Sequence, residues 1–518
     1  MSTASSATSR REFLQQLAGT NDNAVSPTPR EPAPAPSLAA HVANRLMYGP
    51  KPGDVAAIEA QGVDNWISTQ LNPTSSDTAA LTAALAELPT ATLSENITQL
   101  YDRRYMEYAD AIRPARELRH ATIARMMHSQ WQLRELMVEF WHNHFNVYGW
   151  DSPIMSLMPD WDRCIREHCF GNFRAFLEAT GRHPVMLHYL DNYLSTNAGP
   201  NENYARELFE LHSLGAMNYN TEDGYIDEDV YEASRCFTGW SYERTRTASD
   251  RGQFKYYREN HDRFQKVVLG TPIPRDQADL LDGQQVLDLI CNHPGTARFI
   301  VTKLCRRFVA DEPPVSLIDS AVTVFYQHRT SPDQIKRTLQ HIFASAEFRN
   351  PAYRANKFKK PFDWMISTMR ALTIPYIYRE GENALDMTGM MNALGQTMFG
   401  WRSPDGPPDT FFDWATANSM MRRYNFVFRI DSGWWTDRGL TFPSVSIMPE
   451  NLRTTRQVCD WWIQRVIQRP VSSSSYEALL TFVAEGRNFD LPMPPAQVTD
   501  KVSRVAILCT LTPEFMWR

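Results

Sequence analysis

The stretch Glu139-Phe140-Trp141-His142-Asn143-His144-Phe145 sets two imidazoles two residues apart, with a carboxylate three residues before the first. In an unbroken α-helix, residues two apart point about 200° away from each other, so His142 and His144 can share a ligand only if the helix ends near Asn143. Gly149 and Asp151-Ser152-Pro153 signal a stop soon afterwards. Glu139 and His142 do share a face, as an E-x-x-H pair. In helical bundles such a pair is one half of a di-iron carboxylate motif, but no second pair is evident in the sequence. The plain alternative is two satisfied histidines, one of them hydrogen-bonded to a neighbouring carboxylate.

A second constellation runs from Asn201 to His212 as N-E-N-Y-A-R-E-L-F-E-L-H. On a helical wheel Glu202, Asn203, Arg206, Glu207 and Glu210 form one polar stripe, while Tyr204, Leu208 and Leu211 face the core. His212 falls near the core side, away from the carboxylates. Pro200-Asn201 opens the helix, so the polar stripe begins in its first turn. Such a stripe coordinates a divalent cation or supplies an acid–base pair. Alternatively it is a solvated face laced by Glu202–Arg206 and Arg206–Glu210 pairs four residues apart. A third group, His261-Asp262 followed by Lys266, sits in an irregular stretch, where a loop histidine serves as ligand, base or turn former. His183 and His188 flank an apolar run and read as core or cap residues. All thirteen histidines lie between His41 and His341, so imidazole chemistry belongs to residues 120–300.

The elements that must position these groups are helical. Apolar periodicity predicts helices over Leu38–Leu46, Val55–Leu71 with Asp54 as its cap, Ala79–Leu88 and Leu93–Ala111, then one long amphipathic segment from Arg116 to about Tyr148. Further helices are predicted over 283–289, 297–309, 317–328, 333–344, 360–372, 418–428 and 452–465. Residues 241–270 are charged and aromatic with weak periodicity, which predicts a short hairpin or a long loop. Residues 400–413, rich in Pro, Gly and Asp, form the strongest internal loop signal. The expected fold is mainly α: a large multi-helix globular domain over residues 37–518 with a small irregular or β insertion near 241–270. Two subdomains would meet near 380–415. Residues 1–36 read as a disordered tail.

Bulk properties narrow the function. The chain has 518 residues, and its formal net charge of −6 offers no broad basic field, which disfavours a nucleic-acid partner. No apolar run approaches the roughly 20 residues that cross a bilayer. The seven cysteines contain no C-x-x-C and read as buried, inert thiols rather than a disulfide framework or a thiolate zinc site. Ser9-Arg10-Arg11-Glu12-Phe13-Leu14 looks like a twin-arginine export signal, yet a Pro-rich stretch follows where an apolar core is required. Cytoplasmic residence is therefore preferred, with the periplasm as the alternative. There is no Gly-rich phosphate loop and no G-x-S-x-G elbow.

Taken together, the stretches around His41–Gly49, Phe140–Phe145, Asn201–Gly215, Asp229–Trp240, His261-Asp262, Lys360-Pro361, Leu394–Gln396 and Pro513–Phe515 resemble the bacterial family known as domain of unknown function 1800. The likeness spans nearly everything after residue 38. It implies a helical fold and, typically, a twin-arginine signal, and it implies no secure activity. Its W-H-x-H-F and N-E-N-x-x-R-E-x-x-E patterns fall here on His142, His144, Glu202, Asn203, Arg206, Glu207 and Glu210. The chain departs from the pattern in lacking the signal's apolar core and in having Phe264 where glycine is common.

The reading that results is a metal-dependent enzyme. His142, His144, Glu207, His261 and Asp262 are the expected ligands of a zinc, iron or manganese ion, which would activate water for hydrolysis or oxygen for oxidation. Arg206, Glu210, Asn203 and Glu139 are the expected catalytic groups, acting on an unidentified small molecule or glycan. One alternative is a metal-free polysaccharide lyase or glycosidase using paired carboxylates, Asn and His. The other is a binding or scaffold protein, because structural ion-pair networks imitate active sites.

Overall fold

The computed structural model describes residues 33–376, 387–431, 442 and 444–518. The tail over residues 1–32, with its twin-arginine-like motif, lies outside the described residues. The fold is mainly α, with two small antiparallel two-stranded sheets among the described residues. No described helix is long and apolar enough to cross a membrane. The described residues divide into two compact units, one within 67–348 and 396–409 and the other within 33–66, 349–376, 387–395, 410–431, 442 and 444–518.

The first unit contains helices α1 (Tyr108–His128), α2 (Gln132–His144), α3 (Ile154–His168), α4 (Phe173–Arg182), α5 (Pro184–Tyr189), α6 (Asn203–Glu207) and α7 (Asp227–Cys236). After two hairpins it continues with α8 (Leu281–Asn292), α9 (Pro294–Phe308), α10 (Val315–Gln327) and α11 (Gln334–Ala344). Its core is aromatic around Trp141 and Trp161, both fully buried. The Trp141 indole donates to Cys169 O at 3.0 Å and packs edge-on against Phe176, so the polar tip of a large apolar group is satisfied inside the core.

Three long helices expected from periodicity are each broken, for visible reasons. The Val55–Leu71 segment splits at Gly62, whose φ of +85° only glycine adopts freely, into Asp54–Gln61 and Val63–Gln70. The Leu93–Ala111 segment becomes short turns around Ile97–Asp102, whose start is a capping box formed by Asn96 and Gln99. The Arg116–Tyr148 segment breaks at residues 129–131. There Asp77 accepts hydrogen bonds from Ser129 Oγ at 2.6 Å and from Gln130 N at 2.8 Å, while Trp131 Nε1 donates to Ser76 O at 2.7 Å. Contacts distant in sequence end that helix, and local periodicity cannot report them.

The irregular insertion forms both alternatives at once. Strands β1 (Trp240–Tyr242) and β2 (Phe254–Tyr256) pair antiparallel, as do β3 (Lys266–Val268) and β4 (Thr271–Ile273), with loop between. The segment is pinned by a buried ionic network. Lys266, fully buried, reaches Asp282 Oδ2 at 2.6 Å and also Asp262. Arg235 clamps Asp262 at 2.8 Å and Glu232 at 2.7 Å. Burial works against the Asp282 charge, but hydrogen bonds from His261 and Lys266 outweigh it and hold the carboxyl below its usual range.

The depressed acid makes a pH-dependent contribution. Because the folded value lies below the unfolded one, the stabilisation is present above about pH 4 and is lost as pH falls through the folded value. Asp282→Asn strands a buried ammonium and is expected to cost about 3–5 kcal/mol at pH 7, and much less at pH 2. Urea denaturation at both pH values checks this; an unchanged midpoint at pH 7 would show the network to be energetically idle.

Candidate functional site

The last turn of α2 decides what the two histidines can do. The helix ends at His144, with Phe145 leaving helical geometry, so the two rings diverge to different partners. His142 Nε2 meets Asp162 Oδ1 at 3.1 Å. Asp162 also holds Arg166 at 2.6 Å, and Arg166 continues to Glu135 at 2.9 Å, a buried chain that ties α2 to α3. His144 lies in the core, where Lys303 Nζ donates to its Nδ1 at 3.0 Å and its Nε2 donates to His212 O at 3.1 Å. Both nitrogens are used, and burial together with the nearby Lys303 charge pushes His144 well below the usual imidazole range, so the ring is neutral.

The second constellation does not continue as a regular helix. After α6 the chain makes a π-helical turn over Leu208–His212, a form common at functional sites. A π turn advances fewer degrees per residue than an α turn, so the wheel that aligned Arg206 with Glu210 no longer holds. Arg206 pairs with Glu202 and Asp227, each at 3.0 Å, and not with Glu210. Asn203 is exposed, and its N–H caps onto Asn201 Oδ1. The half-buried Glu207 and Glu210 therefore make no hydrogen bond or ion pair with any described residue.

A loop supplies the other wall. Residues 396–409 are clamped to the end of α2: Asn146 Nδ2 donates to Trp401 O and Ser403 O, Gly149 N to Phe399 O, and the Tyr189 hydroxyl to Arg402 O. Gly406, at φ +73°, presses so close to Asn143 that a Cβ would stand 2.0 Å from its carbonyl oxygen. This places Asp405, which accepts from Trp401 Nε1 at 2.9 Å, within electrostatic reach of Glu207, Tyr189 and Lys303.

The charges here are strongly perturbed. Burial, then Glu210 and Asp405 against the partial relief of Arg206, push the Glu207 carboxyl up to about 7. Burial draws the Lys303 ammonium down to about 8, while Asp409 and Asp405 resist it. Burial and the two acids Glu207 and Asp405 push the Tyr189 phenol up to about 12. Beside Glu210 and Glu207 the Tyr225 hydroxyl is buried without a hydrogen-bond partner.

The expected site residues thus fall into separate groups. Glu207, Glu210 and the neighbouring Arg206 belong together at the π turn. His144 is joined to this region through Lys303 and the His212 carbonyl. His142 belongs to the Asp162 network, and Glu139 meets Arg307 at 3.4 Å rather than His142. His261 has both nitrogens engaged, by Thr238 and by Asp282 at 3.1 Å, and Asp262 is spent on Arg235 and Lys266. His142, His144, Glu207, His261 and Asp262 do not converge on one point, and no group of three His, Cys, Asp or Glu side chains among the described residues is arranged to hold an ion. Lys303, Asp405 and Tyr189 were not singled out by sequence. Asp405 lay in the segment marked as the strongest loop, whereas Lys303, one cation in an otherwise ordinary amphipathic helix, gave no signal. The seven cysteines are free thiols, five of them buried and Cys164 and Cys291 partly exposed.

A carboxyl raised on folding destabilises as pH rises, because the folded state keeps a proton that the unfolded chain has lost. Glu207→Gln is therefore expected to stabilise the protein by about 1–2 kcal/mol at pH 8.5 after solvent screening, and to change little at pH 3.5. Thermal or urea melts at the two pH values decide it; equal effects at both would mean that Glu207 titrates normally.

The family model described as "Protein of unknown function (DUF1800)" matches residues 41–517. No curated protein and no solved structure matches the chain.

Proposed function

The chain belongs to the DUF1800 family, which carries no assigned reaction, and from the chemistry of its own residues we propose that it is an acid–base enzyme of the glycosidase or polysaccharide-lyase kind. Glu207 is the proton-carrying group. The single observation behind this is a half-buried carboxyl without a partner among the described residues, whose charge burial opposes first and Glu210 and Asp405 after it. A general acid or base works best when its pKa lies near the operating pH. Glu210 and Asp405 supply the field that keeps the proton on Glu207, and Asp405 is placed to face a positive charge developing on the substrate. Lys303, held by the neutral His144, faces Asp405 and Asp409 from α9. Tyr189 and Trp401, half-buried beside Asp405, are rings suited to a sugar face.

The expected divalent metal has poorer support than this reading, because the imidazoles of His144 and His261 have no free nitrogen for it. The test is a carboxyl-carbon NMR titration of Glu207 in the wild type, Glu210→Gln and Asp405→Asn, run beside elemental analysis and a screen of glycan substrates. The expected result is a midpoint near 7 that falls in each variant, and a turnover that Glu207→Gln lowers by roughly 10²–10⁴-fold although the variant is more stable. A Glu207 midpoint in the ordinary carboxylate range, or near-stoichiometric metal lost with His144→Ala, would sink the proposal.

A further inference from the structure

In the unit that holds Glu207, aromatic rings run outward from Tyr189 in an unbroken series of contacts. The series starts at the end of α5, where the Tyr189 hydroxyl donates to Arg402 O at 2.6 Å. The preceding residue, His188, stacks on Tyr193 with ring centres 4.9 Å apart, and its Nδ1 meets the Tyr242 hydroxyl at 3.0 Å. Tyr193 lies 5.7 Å from Tyr242 at the end of β1, Tyr242 lies 6.0 Å from Tyr101, and Tyr101 lies 6.0 Å from Tyr105. At the far end Tyr105, Met106 and Tyr108 are 41%, 50% and 64% exposed, so large apolar groups are left to water.

Arginines lie over these rings and over the neighbouring Tyr148. The Arg402 guanidinium is 4.5 Å from the Tyr148 ring centre and donates to its hydroxyl at 3.3 Å. Arg244 is 5.1 Å from Tyr193, and Arg246 is 5.0 Å from Tyr105. Arg104 is 5.0 Å from Tyr101, whose hydroxyl accepts one of its N–H groups at 2.8 Å, and it also faces Tyr105 and the Tyr242 hydroxyl. None of the four makes an ion pair with a described residue, and Arg244 and Arg246 make no hydrogen bond with one. The nearby acids have other partners. Asp102, within reach of Arg246, accepts two bonds from Arg251. Glu243 holds Lys255 and Thr245 N, and the exposed Asp151 accepts from Ser152 N. Burial, then Arg104, draws His188 down to about 4, with Asp151 opposing and Arg244 assisting, so that ring adds no charge at neutral pH.

A surface arginine without a carboxylate is ordinary. Four such groups laid on tyrosines are more than that, because a stacked guanidinium is already oriented and loses less freedom when its remaining N–H groups are taken up. We propose, resting on Glu207 as the acid–base group of a sugar-cleaving enzyme, that this surface binds an acidic polysaccharide, a chain of uronate sugars, and leads it toward Glu207. A guanidinium fork matches a carboxylate with two parallel hydrogen bonds, and exposed tyrosine suits the apolar face of a sugar. Arg402 belongs to the loop that also carries Asp405, and Tyr189, which binds its carbonyl, is within electrostatic reach of Glu207. The arginines thus extend from the far end at Tyr105 to the candidate site itself. A single-stranded nucleic acid also stacks on such rings, but it draws much of its affinity from a broad basic field, which a chain of net charge −6 does not offer.

The experiment is a calorimetric titration of the full chain at pH 7 with oligogalacturonate, the same oligomer methyl-esterified, alginate oligomers and an oligothymidylate. A uronate oligomer is expected to bind, and the methyl ester to bind about tenfold more weakly or worse. Arg244→Gln and Arg402→Gln alter exposed side chains at two separate points of the surface, and each is expected to weaken uronate binding by about 5–20-fold. Glu207→Gln still binds. Uronate binding that the two arginine variants weaken supports the surface even where no turnover is found, which separates it from the assignment of Glu207. No binding of either uronate, equal binding of the methyl ester, unchanged affinity in both arginine variants, or tighter binding of the oligothymidylate overturns the proposal.

Discussion

Everything around the candidate site hangs on the His144 imidazole. One ring nitrogen accepts a hydrogen bond from Lys303 on α9, and the other donates one to the carbonyl of His212 at the end of the π turn. A neutral imidazole has one donor and one acceptor, and here each is used by a different element. Three segments far apart in sequence are thereby held at one depth in the core. The price of the arrangement is that His144 has no nitrogen left for a metal. The same ring lies parallel to Phe140 and meets Trp141 and Phe145 edge-on, which holds its plane.

The behaviour of Glu207 follows from where the neighbouring cations are directed. Arg206 is the obvious partner, but the π turn and the position of Asp227 direct it to Glu202 and Asp227. Lys303 is drawn toward Asp405, Asp409 and His144. With both cations occupied, burial and two like charges act on Glu207 with little opposition, and one unit of pKa shift is about 1.4 kcal/mol of interaction. A carboxyl near neutrality thus needs no unusual residue, only the withholding of ordinary ones.

How much of this was legible in the sequence depends on the range of the cause. Helix positions such as Leu38–Arg45 and Pro361–Leu372 follow from apolar spacing and caps, because those act within one turn. The N-E-N-x-x-R-E-x-x-E run was visible as chemistry for the same reason. Its geometry was not, since a π turn changes the face of every later residue without changing the residue types. The break at 129–131 was hidden because it is made by Ser76 and Asp77, and Asp405 was hidden because only tertiary packing of a loop brings it to Glu207. The pairs that looked like ligands, His142 and His261-Asp262, were misleading in an instructive way. Histidine beside carboxylate is also what a buried ionic network looks like, and both proved to be members of one.

That contrast gives a criterion that composition alone lacks. In the first unit, the buried charges around Asp162 and around Lys266 are paired, often twice, as polar groups removed from water must be. Glu207 has Arg206 as its immediate neighbour in the chain and yet is left without such a pair among the described residues. Local disagreement with an otherwise consistent design concentrates at functional positions. The carboxyls at the π turn, unpaired among the described residues, are of that kind. The missing partner is defined by what the surroundings withhold, a cationic or proton-accepting group beside Glu207.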